Sequence, residues 1–210
     1  GEKIDGGSDD ATLATNNNSQ TFVYVDATKG WQVVNDSTVN IKGVSFTSAT
    51  GGTESNIGDY TYHVFTATGC FTVSSVGTSC CSGAEALVVA GGGGSGTNGA
   101  GGSGAGGLRN IAGACIPISA SPGTYAITVG GGGSGQPNST ETCSGTNSVF
   151  STITSAGGGG GGQAGCSPPT AMNGKAGGSG GGGGGNGRSG TAGSGNSPPT
   201  SPAQGNDGGA

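Results

Sequence analysis

"EALVVAGGGGSGTNG", residues 85–99, decides how this chain is read. The apolar run Ala86 to Ala90 has the β-branched character of a strand. It passes straight into glycine, and Gly94, Gly96 and Gly99 satisfy the G-x-G-x-x-G spacing of a dinucleotide-binding turn. That turn needs a helix behind it, whose N-terminus faces the pyrophosphate, and an acidic residue about 20 positions on. Here Gly99 is followed by "AGGSGAGGLRN", too rich in glycine to open a helix, and no Asp or Glu lies between Glu85 and Glu141. A P-loop fails as well, because Ala176 follows Lys175 where Ser or Thr would hold magnesium. The stretch is therefore a strand that ends in glycine for a reason other than phosphate.

The pattern recurs. "TYAITVGGGG" (Thr124 to Gly133) and "SVFSTITSAGGGGGG" (Ser148 to Gly162) are again β-branched runs that end in glycine. This rhythm predicts a strand scaffold from whose ends glycine-rich segments depart. Of the 53 glycines, 42 lie after residue 90. Ordinary chains hold roughly 7% glycine, and a glycine-rich chain loses much backbone entropy on ordering. Two forms are open to the tracts. One is a flexible linker. The other is a bundle of extended polyglycine II helices with three residues per turn and no internal hydrogen bonds, whose N–H and C=O groups bond to neighbouring tracts. Collagen is excluded because no strict three-residue period runs through the chain.

Three zones follow. Residues 1–45 read as a small β module with a hairpin: a strand from Thr21 to Val25, a turn from Asp26 to Gly30, and a strand from Trp31 to Val34. Residues 46–156 read as a β scaffold with glycine-rich loops, including a hairpin of "YTYHVFT" (from Tyr60) with "CFTVSS" (from Cys70). Residues 157–210 read as a glycine-rich display segment, with six-glycine runs at Gly157 to Gly162 and Gly180 to Gly185. The fold class expected is mainly β: an antiparallel, sandwich-like scaffold with polyglycine II-type segments and no significant helix.

The net charge of −5 and the scattered basic residues, Lys3, Lys29, Lys42, Arg109, Lys175 and Arg188, oppose nucleic-acid binding. No apolar run approaches the about 18 residues of a membrane span. The chain does not begin with Met and shows no signal peptide, which suggests a fragment or processed product.

Catalytic constellations are thin. His63 is the single histidine and has no base–orienter partner, so it reads as a half-buried strand residue. Asp5, Asp9 and Asp10 lack the calcium-loop order. Trp31 reads as a small core or chain–chain contact rather than a sugar platform. The cysteines, Cys70, Cys80, Cys81, Cys115, Cys143 and Cys166, fit structural roles better than a metal site. No enzyme activity, cofactor or metal is expected.

The ordered string "YTYHVFTATGCFTVSS…EALVVAGGGG…TYAITVGGGGSG…GTNSVFSTITSAGGGGGG" resembles the glycine-rich domain of tail fibres and other appendage proteins of tailed bacteriophages, and of some bacterial surface proteins. The likeness covers about residues 46–210, and residues 1–45 are similar to small β modules of marine phage fibres. The resemblance implies a virion-surface fibre or adhesin domain, often trimeric, built with other virion proteins. It further implies that loops between glycine tracts contact a host glycan or outer-membrane protein. The residues placed between tracts are Asn173, Lys175, Asn186 and Arg188, with the "SPPT" loops at Ser167 to Thr170 and Ser197 to Thr200. A purely structural spacer and an ice-binding polyglycine II protein are the alternatives. The cysteines depart from the family pattern.

Overall fold

The computed structural model describes residue 4 and residues 20–36, 46–58, 60–77, 83–97, 99–136, 142–163, 172–185 and 190–210. The chain divides into two compact units, Gly1–Ser45 and Phe46–Ala210.

In the first unit, β1 (Gln20–Asp26) and β2 (Gly30–Asp36) form the antiparallel hairpin expected from their aromatic and β-branched content. Asp26 makes the turn. Its Oδ1 accepts the N–H groups of Thr28 (2.8 Å) and Lys29 (2.7 Å). Trp31 stands opposite Tyr24, edge to face at 5.5 Å, and is half exposed. The acidic stretch Asp5, Asp9 and Asp10 lies outside the described residues.

The second unit has a β part and a glycine part. The β part holds β3 (Ser48–Thr50), β4 (Thr53–Ile57), β5 (Tyr60–Val64), β6 (Gly69–Ser75), β7 (Gly83–Val89), β8 (Leu108–Pro117), β9 (Thr124–Thr128), β10 (Ser148–Phe150) and β11 (Ile153–Ser155). Five of them form one antiparallel sheet in the order β11-β10-β9-β6-β3, and β7 pairs with β8 as a separate ribbon. The two layers share a core. Phe71 and Val73 of β6, Ile127 of β9 and Phe150 of β10 meet Val88 of β7 and Ile116 of β8. Alternation places them: along β6, Phe71 and Val73 are buried while Cys70 and Ser74 are exposed. Phe71, Tyr125 and Phe150 form an aromatic cluster with centroids 5.9 to 6.4 Å apart. No α-helix occurs among the described residues.

The hairpin expected between the Tyr60 and Cys70 strands does not form. β5 pairs instead with β4, and β6 pairs with β3 and β9. Sequence adjacency suggested the pairing, but Phe65 between the strands turns inward onto the core and separates them. The chain leaves the five-stranded sheet at Gly51 and Gly52, both at positive φ (120° and 69°), and re-enters it at Gly69. A side chain at Gly51 would strike the Cys70 carbonyl, and one at Gly52 the Val64 carbonyl. His63 closes this corner. Its Nδ1 lies 2.9 Å from the Gly51 carbonyl and 3.8 Å from Glu54, so Nδ1 carries the proton, and its ring packs edge-on against Phe71.

"SVFSTITS" is not one strand but a tight hairpin, β10 and β11, turning at Ser151 with φ 53°. β8 was unmarked in the sequence. It pairs with β7 across a bulge in which Ala112 to Cys115 face the single residue Glu85, whose Oε1 accepts the Gly113 N–H at 3.0 Å.

Candidate functional site

Beyond the sandwich, glycine-rich segments run side by side. Among the described residues they form nine extended tracts: tract 1 (residues 90–96), tract 2 (99–107), tract 3 (130–136), tract 4 (142–147), tract 5 (156–163), tract 6 (172–178), tract 7 (179–185), tract 8 (190–196) and tract 9 (204–210). Tract 5 shows the rule. Its donors Gly158 and Gly161 reach tract 1 at Gly91 and Gly94, and its donors Gly159 and Gly162 reach tract 7 at Ser179 and Gly182. Its carbonyls at Ala156, Gly159 and Gly162 accept from Gly107, Gly104 and Gly101 of tract 2, at 2.7 to 2.8 Å. Its carbonyls at Gly157 and Gly160 accept from Gly178 and Lys175 of tract 6. Each partner recurs every third residue, which is the period of a polyglycine II helix. The described tracts are therefore an ordered lattice and not a linker.

Odd-numbered tracts run one way and even-numbered tracts the other. Tracts 1 and 5 pair in increasing register, whereas tracts 2 and 5 pair in opposite register. Glycine is required because neighbouring backbones touch. A β-carbon at Gly158 would fall on the Gly104 carbonyl, and one at Gly161 on the Gly101 carbonyl. Tract 4, "TCSGTN", completes the lattice with side chains: Asn147 Oδ1 accepts from Gly157 (2.9 Å), Ser144 Oγ from Gly160 (3.3 Å), and the Thr142 hydroxyl donates to Gly161.

The lattice joins the sandwich through Gln204, which is buried. Its Oε1 accepts the Ala156 N–H at 2.8 Å, its backbone carbonyl accepts that of Leu108 at 2.9 Å, and its Nε2 donates to Pro198. The opposite end gathers Thr97, Gln136, Gln163 and Gly185. Gln163 Nε2 donates to the Thr97 carbonyl at 2.8 Å, Gln136 N–H to Ser95 and Gly185 N–H to Gly99. The connections from this distal end, residues 98, 137–141, 164–171 and 186–189, lie outside the described residues.

The expected contact residues are thus divided. Asn173 and Lys175 belong to tract 6 and not to a tip. Asn173 Oδ1 accepts the Thr191 N–H of tract 8 at 2.9 Å, and the Lys175 N–H donates to Gly160 at 2.9 Å. Asn186, Arg188 and the loop from Ser167 to Thr170 lie outside the described residues. The loop from Ser197 to Thr200 sits at the sandwich end, where Asn196 Oδ1 accepts from Thr200 (3.0 Å) and Gln204 (3.2 Å). The glycines of the phosphate-like spacing serve the lattice: Gly94 donates to Cys143, Gly99 accepts from Gly185, and Gly96 abuts Gln163.

The family model of the glycine-rich domain matches residues 66–210. The chain belongs to this family. No curated protein and no solved structure gives a match. The matched part of the glycine-rich domain runs from the end of β5 through the core strands and every tract. Within the described residues the domain carries free thiols at Cys70 and Cys143. Cys80, Cys81, Cys166 and the side chain of Cys115 lie outside them. Among the tracts the charged side chains are Lys175 and Asp207.

Proposed function

We propose that the chain is a virion-surface fibre or adhesin domain of a tailed bacteriophage that displays loops for attachment to a host surface. The observation that carries this reading is the gathering of four tract ends, Thr97, Gln136, Gln163 and Gly185, at the face of the lattice remote from the sandwich. Loops held on such a base vary without disturbing it, because the base is cross-linked by backbone groups and not by loop side chains. The chemistry is binding: the tips meet a host glycan or outer-membrane protein, with other virion proteins behind the sandwich. Contact falls to Asn186, Arg188 and the loop from Ser167 to Thr170, while Asn173 and Lys175 support them from tract 6.

The test replaces residues 164–171 and 186–189 with glycine–serine links of equal length and measures attachment of the labelled full chain to a panel of bacterial cells. Attachment falls to background while the melting temperature stays at the parent value. Attachment equal to the parent overturns the reading. A structural spacer without receptor contact is the second reading, favoured by the backbone hold of the lattice on Lys175.

A further inference from the structure

Each polyglycine II helix in a filled lattice has six neighbours, three met by its N–H rows and three by its C=O rows, since its three residues per turn point each group in three directions. Tract 7 has five. Its N–H rows go to tract 2 (from Ser179, Gly182 and Gly185), tract 9 (from Gly180 and Gly183) and tract 6 (from Gly181 and Gly184). Its carbonyls at Ser179 and Gly182 accept from tract 5, and those at Gly181 and Gly184 accept from tract 8. The remaining carbonyls, Gly180 and Gly183, accept from no group among the described residues. They lie one helical turn apart on the floor of a groove of about 400 Å³, walled by residues 101–103 of tract 2 and 208–210 of tract 9.

The geometry points to this groove as the seat for one more polyglycine II tract, supplied by a second copy of this chain. The lining has no charged, aromatic or large side chain, so the groove recognises peptide backbone and little else. The occupant must present N–H groups every third residue and no β-carbon at the contact. Tract 3 at the far edge of the lattice does so. Its Gly133 and Gln136 donate to tract 1, and its Gly130 and Gly131 donate to Ser148 and Thr146 side chains. The N–H groups of Gly132 and Gly135, again one turn apart, have no partner among the described residues, and both residues are exposed. Donor row and acceptor row carry opposite partial charge at equal spacing. Because the two surfaces differ, the contact is head-to-tail and each copy offers one of each. The inference does not depend on host attachment.

Sedimentation velocity on the full chain tests it with two variants that spare the fold. Gly102→Val fills the groove, since a β-carbon there meets nothing within 4 Å. Gly132→Pro removes a donor while keeping the backbone angle of an extended helix. The parent chain associates with rising concentration, and each variant associates at least about tenfold more weakly with a melting temperature no lower than the parent's. Mixing the two restores a dimer that grows no further, because one variant keeps tract 3 and the other keeps the groove. A monomeric parent, variants that associate like the parent, or a mixture that stays monomeric overturns the inference.

Discussion

Gln204 and Ala156 lie 48 residues apart, and the Gln204 Oε1 accepts the Ala156 N–H at 2.8 Å where the sandwich becomes the glycine lattice. Gln204 is 3% exposed, so water does not replace this bond when it is lost. Gln204→Leu leaves the buried Ala156 N–H without a partner, whereas Pro198 is exposed and its carbonyl turns to water. A buried orphan costs about 1–3 kcal/mol, so denaturant titration reads a loss of about that size. A loss under about 0.5 kcal/mol, the size of an ordinary surface change, would place the joint elsewhere.

Amide hydrogen exchange carries the signature of the lattice. In tract 2, Gly101, Gly104 and Gly107 donate to tract 5, whereas Gly102, Ser103 and Gly106 donate to no described group. Protection recurs at every third residue, and the positions between exchange quickly at micromolar concentration. Alternate-residue protection, as at a sheet edge, would refute the three-fold helix.

Two glycine-to-alanine changes have opposite signs. At Gly161 the new methyl falls on the Gly101 carbonyl, and overpacking costs about 1–3 kcal/mol or more. At Gly102 the methyl meets open space, and restricting the unfolded chain stabilises by about 0.4–1 kcal/mol. Thermal melting of both proteins decides, and equal effects would contradict the close approach of tracts 2 and 5.

Phe71 is the hub of the aromatic cluster and also touches His63. Phe71→Ala removes these contacts and costs about 3–5 kcal/mol by chemical denaturation. A loss below about 1 kcal/mol would mean that the two β layers do not share one core.

The first-unit hairpin and the strands that enter glycine were legible because alternation and β-branching are local signals. β8 was not, since "LRNIAGACIP" contains Gly113 and its pairing requires a bulge set by Glu85, 28 residues away. The expected β5–β6 hairpin does not form because β5 pairs back onto the preceding β4, while β6 takes β3 and the distant β9. Glycine runs announced tracts 5 and 7. Tract 4 stayed hidden because its single glycine is Gly145 and Thr142, Ser144 and Asn147 side chains share its lattice bonding with its backbone. The sequence places Asn173 and Lys175 between glycine tracts because no change in composition marks where tract 6 begins.

A lattice joined mainly by peptide groups also has an unusual thermal character. Heat capacity rises on unfolding when apolar surface meets water and falls when polar surface does, by about +0.45 and −0.26 cal/K/mol/Å². The buried core Gly157 to Gly162 exposes mainly amides when it opens. The increment per residue for Phe46–Ala210 therefore falls well below the usual about 12–15 cal/mol/K, which flattens the stability curve and spreads near-constant stability over a wide range of temperature.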